Sequence, residues 1–300
     1  MVLESIINPP SMEKHPLEMV PVGFFYSSIG LFLALFVFAE YSSLAGVFIT
    51  TLPLVVIMMN TIKYEEKKDL AIHKETFLIK EHGKALSMFF CLFMGMVVAY
   101  SFWFTVLPGD MGEGLFDFQI KTVSAIQQGA GGVGDTINQL GDLEKILTNN
   151  LAVLMFCILF SFLYGAGAIF ILTLNASVIG VAVGSRVRDY LASCVFAGHA
   201  DMLYSYFNSS VSITFCYMFH GLFEISAYIV GALAGGIISV AVVNHDFNTK
   251  EFWHIIVDSS DLLILSVVLL VVGAFIEAFM TPVICSGALG ELLSSIGLFY

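Results

Sequence analysis

Long runs of apolar residues constrain this chain more than any other feature of its sequence. Each is close to or above the length of about 20 residues that crosses the hydrocarbon core of a bilayer. The runs lie at residues 19–39, 42–59, 85–107, 151–174, 210–243 and 262–281. Charged residues make up only 12% of the chain, against about 25% in ordinary soluble proteins. The sequence therefore predicts an all-α, polytopic transmembrane helical bundle of about six spans.

Basic residues predict the orientation of these spans. Half of the 12 Lys and Arg residues lie between the second and third runs, in segment 63–84. Cytoplasmic loops carry an excess of Lys and Arg, so this segment is predicted to be cytoplasmic. Arg186 and Arg188 are assigned to the same side, whereas the loop at 108–150, with two lysines among several acidic residues, is assigned to the outside. Both termini are then cytoplasmic, and the plasma membrane is the expected location.

The organisation along the chain is that of one multi-pass membrane domain, residues 1–300. Residues 1–107 hold the first three spans, 108–150 form an outer loop, and 151–300 hold the last three spans. Apolar residues recur at helical spacing over 115–126. This pattern predicts a helix that lies flat on the outer membrane surface.

Three ionisable residues lie inside the predicted spans, where charge is expensive. His220 and Glu224 are four residues apart and would share one helix face, and Glu277 lies in the last run. The three side chains would meet if these two helices are neighbours. Three roles fit such a network: a structural link between helices, a proton or cation pathway, or a catalytic or metal site. One His with two Glu is a poor metal set, so no metal or cofactor is predicted.

The fifth run is too long for a single simple span at 1.5 Å per residue. Gly221 follows His220 directly. The sequence therefore predicts either one long helix that projects beyond the bilayer, or a helix that is broken near His220-Gly221. Broken membrane helices line cavities or pack against protein, because lipid cannot satisfy the freed backbone groups.

Small and polar residues predict where helices pack and begin. Asn149 and Asn150 stand at the start of the fourth run, where their side-chain oxygens could cap free backbone N–H groups. Glycines four residues apart let two helices approach closely, within one chain or between subunits. Two such pairs are present: Gly180 with Gly184, and Gly231 with Gly235.

Together these residues resemble the stage II sporulation protein M family. The likeness rests on Asn149-Asn150, Tyr164-Gly165-Ala166-Gly167, Asn175, Gly180, His220-Gly221-x-x-Glu224, Glu277 and Thr281-Pro282. The His-Gly-x-x-Glu element is the most distinctive of these. Segments 79–84 and 170–180 resemble the archaeal branch, and the likeness extends over residues 3–282. Asn175-Ala176 departs from the Asn-Gly that family members often have, which leaves a left-handed turn there open.

The resemblance implies a shared membrane core rather than a shared partner. Sporulating bacterial members are similar to multi-pass scaffolds that hold peptidoglycan-degrading partners at the engulfing membrane, and archaea have neither sporulation nor murein. We therefore predict a non-enzymatic, homo-oligomeric scaffold for an unidentified membrane or envelope protein in the lipid bilayer. The alternative is a small-ion or solute transporter or channel that uses His220, Glu224 and Glu277.

Two other classes of function fit the sequence less well. An intramembrane hydrolase would need a nucleophile beside a base, or a metal motif. The segment from His220 to Glu224 lacks the second His and the adjacent Glu of HExxH. The net charge of -12 argues against nucleic acid as a partner, because nucleic-acid binding requires a basic surface.

Overall fold

The computed structural model describes residues 9–38, 41–71, 75–129, 136–196, 202–244 and 249–281, and these residues are almost entirely helical. A 3₁₀ turn at Pro16–Glu18 separates the first two helices, and a π-helical turn at Ile276–Met280 follows the last. The α-helices are α1 (Pro9–Lys14), α2 (Met19–Phe38), α3 (Ser42–Ala71), α4 (Glu75–Val106), α5 (Gly109–Leu115), α6 (Asp117–Gly129), α7 (Thr136–Tyr164), α8 (Ala168–Phe196), α9 (Met202–Asn244) and α10 (Lys250–Phe275). The predicted all-α class is confirmed.

Seven of the described helices, rather than six, are long and apolar enough to cross a membrane: α2, α3, α4, α7, α8, α9 and α10. The structure has one more candidate span than the six that were predicted, because the run at 151–174 includes the end of α7 and the start of α8. The chain turns at Gly165, whose φ of 69° lies in the left-handed region that glycine adopts readily. A Cβ at Gly165 would also lie 2.8 Å from the sulfur of Met59. An odd number of crossings would place the start of α2 and the end of α10 on opposite sides, so the helix count does not support two cytoplasmic termini.

Helix α8 runs parallel to α4. The hydroxyl of Thr173 lies 3.7 Å from the sulfur of Met96. Further along α8, the guanidinium of Arg188 donates to the backbone carbonyls of Phe104 and Leu107, where α4 ends. Arg188 therefore lies at the end of α4 that is opposite to the lysine-rich segment.

Arg188 thus lies at the other end of α4 from the lysine-rich segment, whereas the sequence assigned Arg186 and Arg188 to the same side as that segment. Arg188 binds carbonyl groups that have no partner within α4, as the last carbonyls of a helix do not, and its guanidinium lies 4.6 Å from the centroid of the Phe104 ring. The count of basic residues assumed that Arg188 is a charged residue in a solvent-exposed loop. In the fold it is a C-terminal cap of a neighbouring helix.

Removing this cap should weaken the bundle. We expect Arg188→Gln to lower the free energy of unfolding by about 2 kcal/mol, because the substitution removes charge-assisted hydrogen bonds to backbone carbonyls. Arg186→Gln is the matched control, since Arg186 is exposed, and it should change stability by less than about 0.5 kcal/mol. Thermal unfolding of both variants in the same detergent measures the difference. Equal stability of the two variants would contradict the capping role.

Helix α9 occupies the centre of the bundle and is the most deeply buried of the seven spans. It packs against α3, α7, α8 and α10. Its backbone is helical without interruption from Met202 to Asn244, through His220 and Gly221. Of the two predicted alternatives, the structure therefore has the long helix and not the broken one.

The short helices α5 and α6 pack against the bundle. Phe116, at the turn between them, is 0% exposed and packs edge-on against Tyr100 and Phe104. The buried amide of Gln119 donates to the hydroxyl of Ser177 on α8 at 3.2 Å. The predicted helix is present, but protein covers part of the apolar face that was assigned to lipid.

Candidate functional site

Polar side chains from α7, α9 and the end of α10 meet inside the bundle. The Asn150 amide Nδ2 donates to Oε1 of Glu224 at 2.5 Å. The carboxyl group of Glu277 lies within hydrogen-bonding reach of that of Glu224. The Asn149 amide in turn donates to the Asn150 side-chain oxygen at 3.3 Å. Glu224 is thus bound from two neighbouring helices.

Local features of the helices make room for this cluster, which we call the carboxyl site: Asn150, Glu224 and Glu277. A Cβ at Gly273 would lie 2.8 Å from Cγ of Glu224, so only glycine leaves space for this side chain against α10. Glu277 lies in the π-helical turn Ile276–Met280, and such turns within α-helices are frequent at functional sites. The phenol of Tyr228, one turn along α9, is 6% exposed and lies on the same face of α9 as Glu224.

Two residues of the predicted site lie partly or wholly outside the described part of the structure. His220 lies on α9, but its side chain is outside the part of the structure that is described, so its contact with Glu224 stays a prediction. Pro282 also lies outside the described residues, while Thr281 ends the π-helical turn and donates to the carbonyl of Ile276 at 3.3 Å. Among the described residues, a Cβ at Gly221 would lie 3.8 Å from Ile225, which is an ordinary van der Waals contact.

The asparagines of the family pattern lie within helices and not at helix ends. Helix α7 begins at Thr136, so the interpretation of Asn149 and Asn150 as N-terminal caps was wrong. Asn175 and Ala176 continue α8 without a left-handed turn. The side chain of Asn175 donates to the carbonyl of Ile171, one turn earlier, at 3.1 Å.

Both predicted glycine pairs pack helices of this chain against each other. Gly180 and Gly184 bring α8 against α4, and Gly231 and Gly235 bring α9 against α7. The closest approach to a backbone atom is at Gly235, where a Cβ would lie 2.7 Å from the backbone oxygen of Ile158. Because these faces are occupied within the chain, the pairs are not available as a subunit interface.

The turn between α7 and α8 is also tied to the central helix. The Ser161 hydroxyl lies 2.9 Å from the Gly165 carbonyl and 2.6 Å from the carbonyl of Ala232 on α9. A Cβ at Gly167 would lie 2.5 Å from the Phe160 carbonyl oxygen. The family residues Gly165 and Gly167 therefore hold the turn that the sequence analysis placed inside one span.

A second polar cluster, at the opposite end of the bundle, was missed by the sequence analysis. We call it the ionic cluster: Glu13, Glu65, Lys68 and His82. The ammonium of Lys68 lies 2.6 Å from a carboxyl oxygen of Glu13 and 2.6 Å from one of Glu65. Nδ1 of His82 lies 2.6 Å from the other Glu65 oxygen. The cluster joins α1, α3 and α4.

Burial sets the electrostatics of the ionic cluster. Glu65 is 0% exposed and Glu13 is 6% exposed. This burial, together with the neighbouring carboxylate of Glu65, raises the pKa of Glu13 to about 7, although the Lys68 ammonium opposes the shift. The signal in the sequence was weak, because the i, i+3 pair of Glu65 and Lys68 resembles a solvated helix face, and Glu13 and His82 lie far from it along the chain.

Metal-ligating side chains do not gather elsewhere in the described part of the chain. No group of three or more His, Cys, Asp or Glu residues that could hold a metal ion is found among the described residues. The two polar clusters themselves consist of hydrogen bonds and ion pairs.

Comparison with known proteins identifies the family. No solved structure matches the chain significantly. An uncharacterized protein of the archaeon Methanocaldococcus jannaschii is 32% identical over 149 residues, which is 48% of this chain and 74% of that protein. Residues 85–282 match the family described as Stage II sporulation protein M. The match begins in α4, so α1 to α3 lie outside it, although the likeness in the sequence was drawn from residue 3. Since it covers more than half of the chain, this multi-pass membrane protein belongs to the stage II sporulation protein M family.

Proposed function

We propose that the protein is a non-enzymatic scaffold of the plasma membrane that organises cell-envelope or membrane-remodelling partners as a homo-oligomer. The bond between Asn150 and Glu224 is the observation that carries this proposal. A carboxyl group held by an amide of the next helix fixes the register of the two helices. A rigid platform needs such links, whereas a transport site needs side chains that exchange partners.

The outer faces of the bundle are the surfaces available to partners and further copies of the chain. Helices α2 and α7 have the smallest buried shares among the seven spans. Large apolar side chains project from them, among them Phe25, Leu33, Phe36, Met155, Phe156 and Leu159. Since the glycine pairs are occupied internally, a homo-oligomer would form through faces such as these or through loops.

The proposed scaffold is tested by its composition in the native membrane. After extraction in a mild detergent, we expect a particle heavier than one chain plus its detergent, with the same proteins co-purifying in independent preparations. Mass measurement by light scattering and identification of the co-purifying proteins provide the result. A monomer without a reproducible partner would contradict the proposal.

We propose that the lysine-rich segment is cytoplasmic and that the Arg188 end of the bundle faces outward. Lys67 and Asp189 are both exposed and lie near opposite ends of the spans. In a cysteine-free background, Lys67→Cys and Asp189→Cys should therefore react with a membrane-impermeant maleimide from opposite sides of oriented vesicles. The six-span topology places both on the same side, so labelling of both from one side would rule out the seven-crossing arrangement.

A transporter or channel is the second candidate, favoured by the adjacent carboxyl groups of Glu224 and Glu277, neither of which is fully buried. Such a pair could take up and release a proton or a cation. Proteoliposomes tested for proton and ion flux across a pH series decide this candidate. Flux that disappears in Glu224→Gln and Glu277→Gln would favour transport over the scaffold. If the parent protein shows no flux, the transporter or channel is ruled out.

A further inference from the structure

Helix α1, the first of the described helices, is tied to the bundle by a buried carboxyl group. Glu13 Oε2 accepts a hydrogen bond from the Lys68 ammonium at 2.6 Å. The other oxygen, Oε1, is buried and receives no hydrogen bond from any described residue. We propose that α1 is a proton-operated latch, which closes over the ends of α3 and α4 while Glu13 is protonated and opens as Glu13 ionises.

The charged groups around Glu13 come from each helix that α1 packs against. Helix α3 contributes Glu65 and Lys68, and α4 contributes His82, which contacts Glu65. Glu66 on α3 is also buried, at 4% exposure, and has an interaction of its own. The ionisable side chains beside Glu13 in its own segment are exposed: Lys14, His15 and Glu18.

The charge balance of these groups differs between the two protonation states of Glu13. When Glu13 is ionised, two buried carboxylates share the ammonium of Lys68, and one negative charge depends on His82 for compensation. Buried charge without full compensation is strongly unfavourable. When Glu13 is protonated, its hydroxyl can donate to Glu65, which lies within hydrogen-bonding reach. The protonated form is therefore the one that favours the closed position of α1.

The direction of the pH effect follows from the pKa of Glu13, which burial and Glu65 raise from 4.5 to about 7. A raised pKa means that the closed state binds the proton more tightly than the open state. Closure is then strongest below about pH 4.5 and weakens by about tenfold per pH unit until about pH 7. The total change in the closing equilibrium is on the order of a hundredfold, and it levels off at higher pH.

Opening would change what the lysine-rich end of the bundle presents to water. Glu65 and His82 are 0% and 2% exposed with α1 in place. Once α1 leaves, their charged ends and Lys68 become accessible to solvent or to a partner. The latch thus controls a polar surface on α3 and α4, and this inference does not depend on the proposed scaffold role.

The distance between α1 and α3 reports the state of the latch. Spin labels at His15→Cys and Lys63→Cys, both at exposed positions, are placed in a chain whose native cysteines are replaced by alanine. Pulsed electron paramagnetic resonance in nanodiscs at several values between about pH 4.5 and 8 gives the distance distribution. We expect one short distance at low pH and a growing broad, longer component up to about pH 7. A distribution that does not change with pH overturns the proposal.

Matched variants assign the pH response to Glu13. Glu13→Gln imitates the protonated side chain and should keep the short distance at every pH, whereas Glu18→Gln, at an exposed position, should behave like the parent. His82→Gln should retain a pH response. If Glu13→Gln keeps the response of the parent, or if only His82→Gln abolishes it, the proposal is overturned. The pH series on the parent chain remains decisive even where a variant at residue 13 does not fold.

Discussion

Gly95→Ala is expected to lower the free energy of unfolding by about 2–3 kcal/mol, toward the upper end of typical overpacking costs. A Cβ at Gly95 would lie 2.1 Å from the backbone oxygen of Val20 and 3.0 Å from the backbone nitrogen of Phe24. Both atoms belong to the backbone of α2, which cannot move aside as the end of a flexible side chain can. The two helices would have to separate, and the contacts along their interface would be lost.

The matched control for this prediction is Gly83→Ala in the same helix. No atom of the described residues lies within 4 Å of a Cβ placed at Gly83, so alanine there should stabilise the helix by about 0.5–1 kcal/mol. Thermal unfolding in detergent can be followed by tryptophan fluorescence, because Trp103 on α4 donates to the hydroxyl of Ser28 on α2 at 2.8 Å. If Gly95→Ala is as stable as Gly83→Ala, the result would contradict the close approach of the α2 and α4 backbones at Gly95.

Glu224→Leu is expected to destabilise the bundle by on the order of 1–3 kcal/mol. Asn150 is only 6% exposed, and the substitution removes the carboxyl oxygen that accepts its hydrogen bond. Glu224→Gln should be milder, since the amide oxygen can still accept from Asn150. Hydrogen bonds between helices in membranes average below the range in water, so the lower half of that range is the more accurate expectation. The same fluorescence measurement reports both variants.

A double substitution separates the contribution of the hydrogen bond between Asn150 and Glu224 from the effect of replacing the Glu224 side chain. Glu224→Leu with Asn150→Leu should recover part of the loss, because no stranded polar group remains between α7 and α9. The control is Glu144→Leu, since Glu144 is exposed on α7 and should change stability by less than about 0.5 kcal/mol. His220 is four residues from Glu224, and this spacing predicts a contact between the two side chains, so His220→Leu belongs in the same set of variants. If Glu224→Leu is as stable as the parent, the structural link fails and a carboxyl group in a wet cavity becomes the better interpretation.

The membrane class and most helix positions could be predicted from the sequence, because apolar length and basic residues are local signals. The break at Gly165 could not be predicted in the same way. The apolar character continues from α7 into α8 across Gly165, Ala166 and Gly167, so hydropathy does not fall at the turn. Only the positive φ of one glycine and the contacts of α3 and α9 show that two helices replace one.

Contacts between residues that are distant in the chain explain the rest of what the sequence did not reveal. The pairing of Asn150 with Glu224 depends on the parallel packing of α7 and α9, whereas His220 stood out because it is four residues from Glu224. Gly95 has Ala99, and not a second glycine, four residues further along its own helix, so it is not one of the two glycine pairs that the sequence singled out. Its role becomes evident only where α2 crosses α4, and the same holds for the ionic cluster.

The turn at Gly165 also constrains the directions in which α7 and α8 run. Only Gly165, Ala166 and Gly167 separate the end of α7 at Tyr164 from the start of α8 at Ala168. A connection this short cannot reach across a bilayer about 30 Å thick, so the end of α7 and the start of α8 must share one side of any membrane that both helices cross. We therefore expect that an insertion which lengthens this turn will be reached by a water-soluble reagent from the same side as the neighbouring end of α3, where Met59 lies against Gly165.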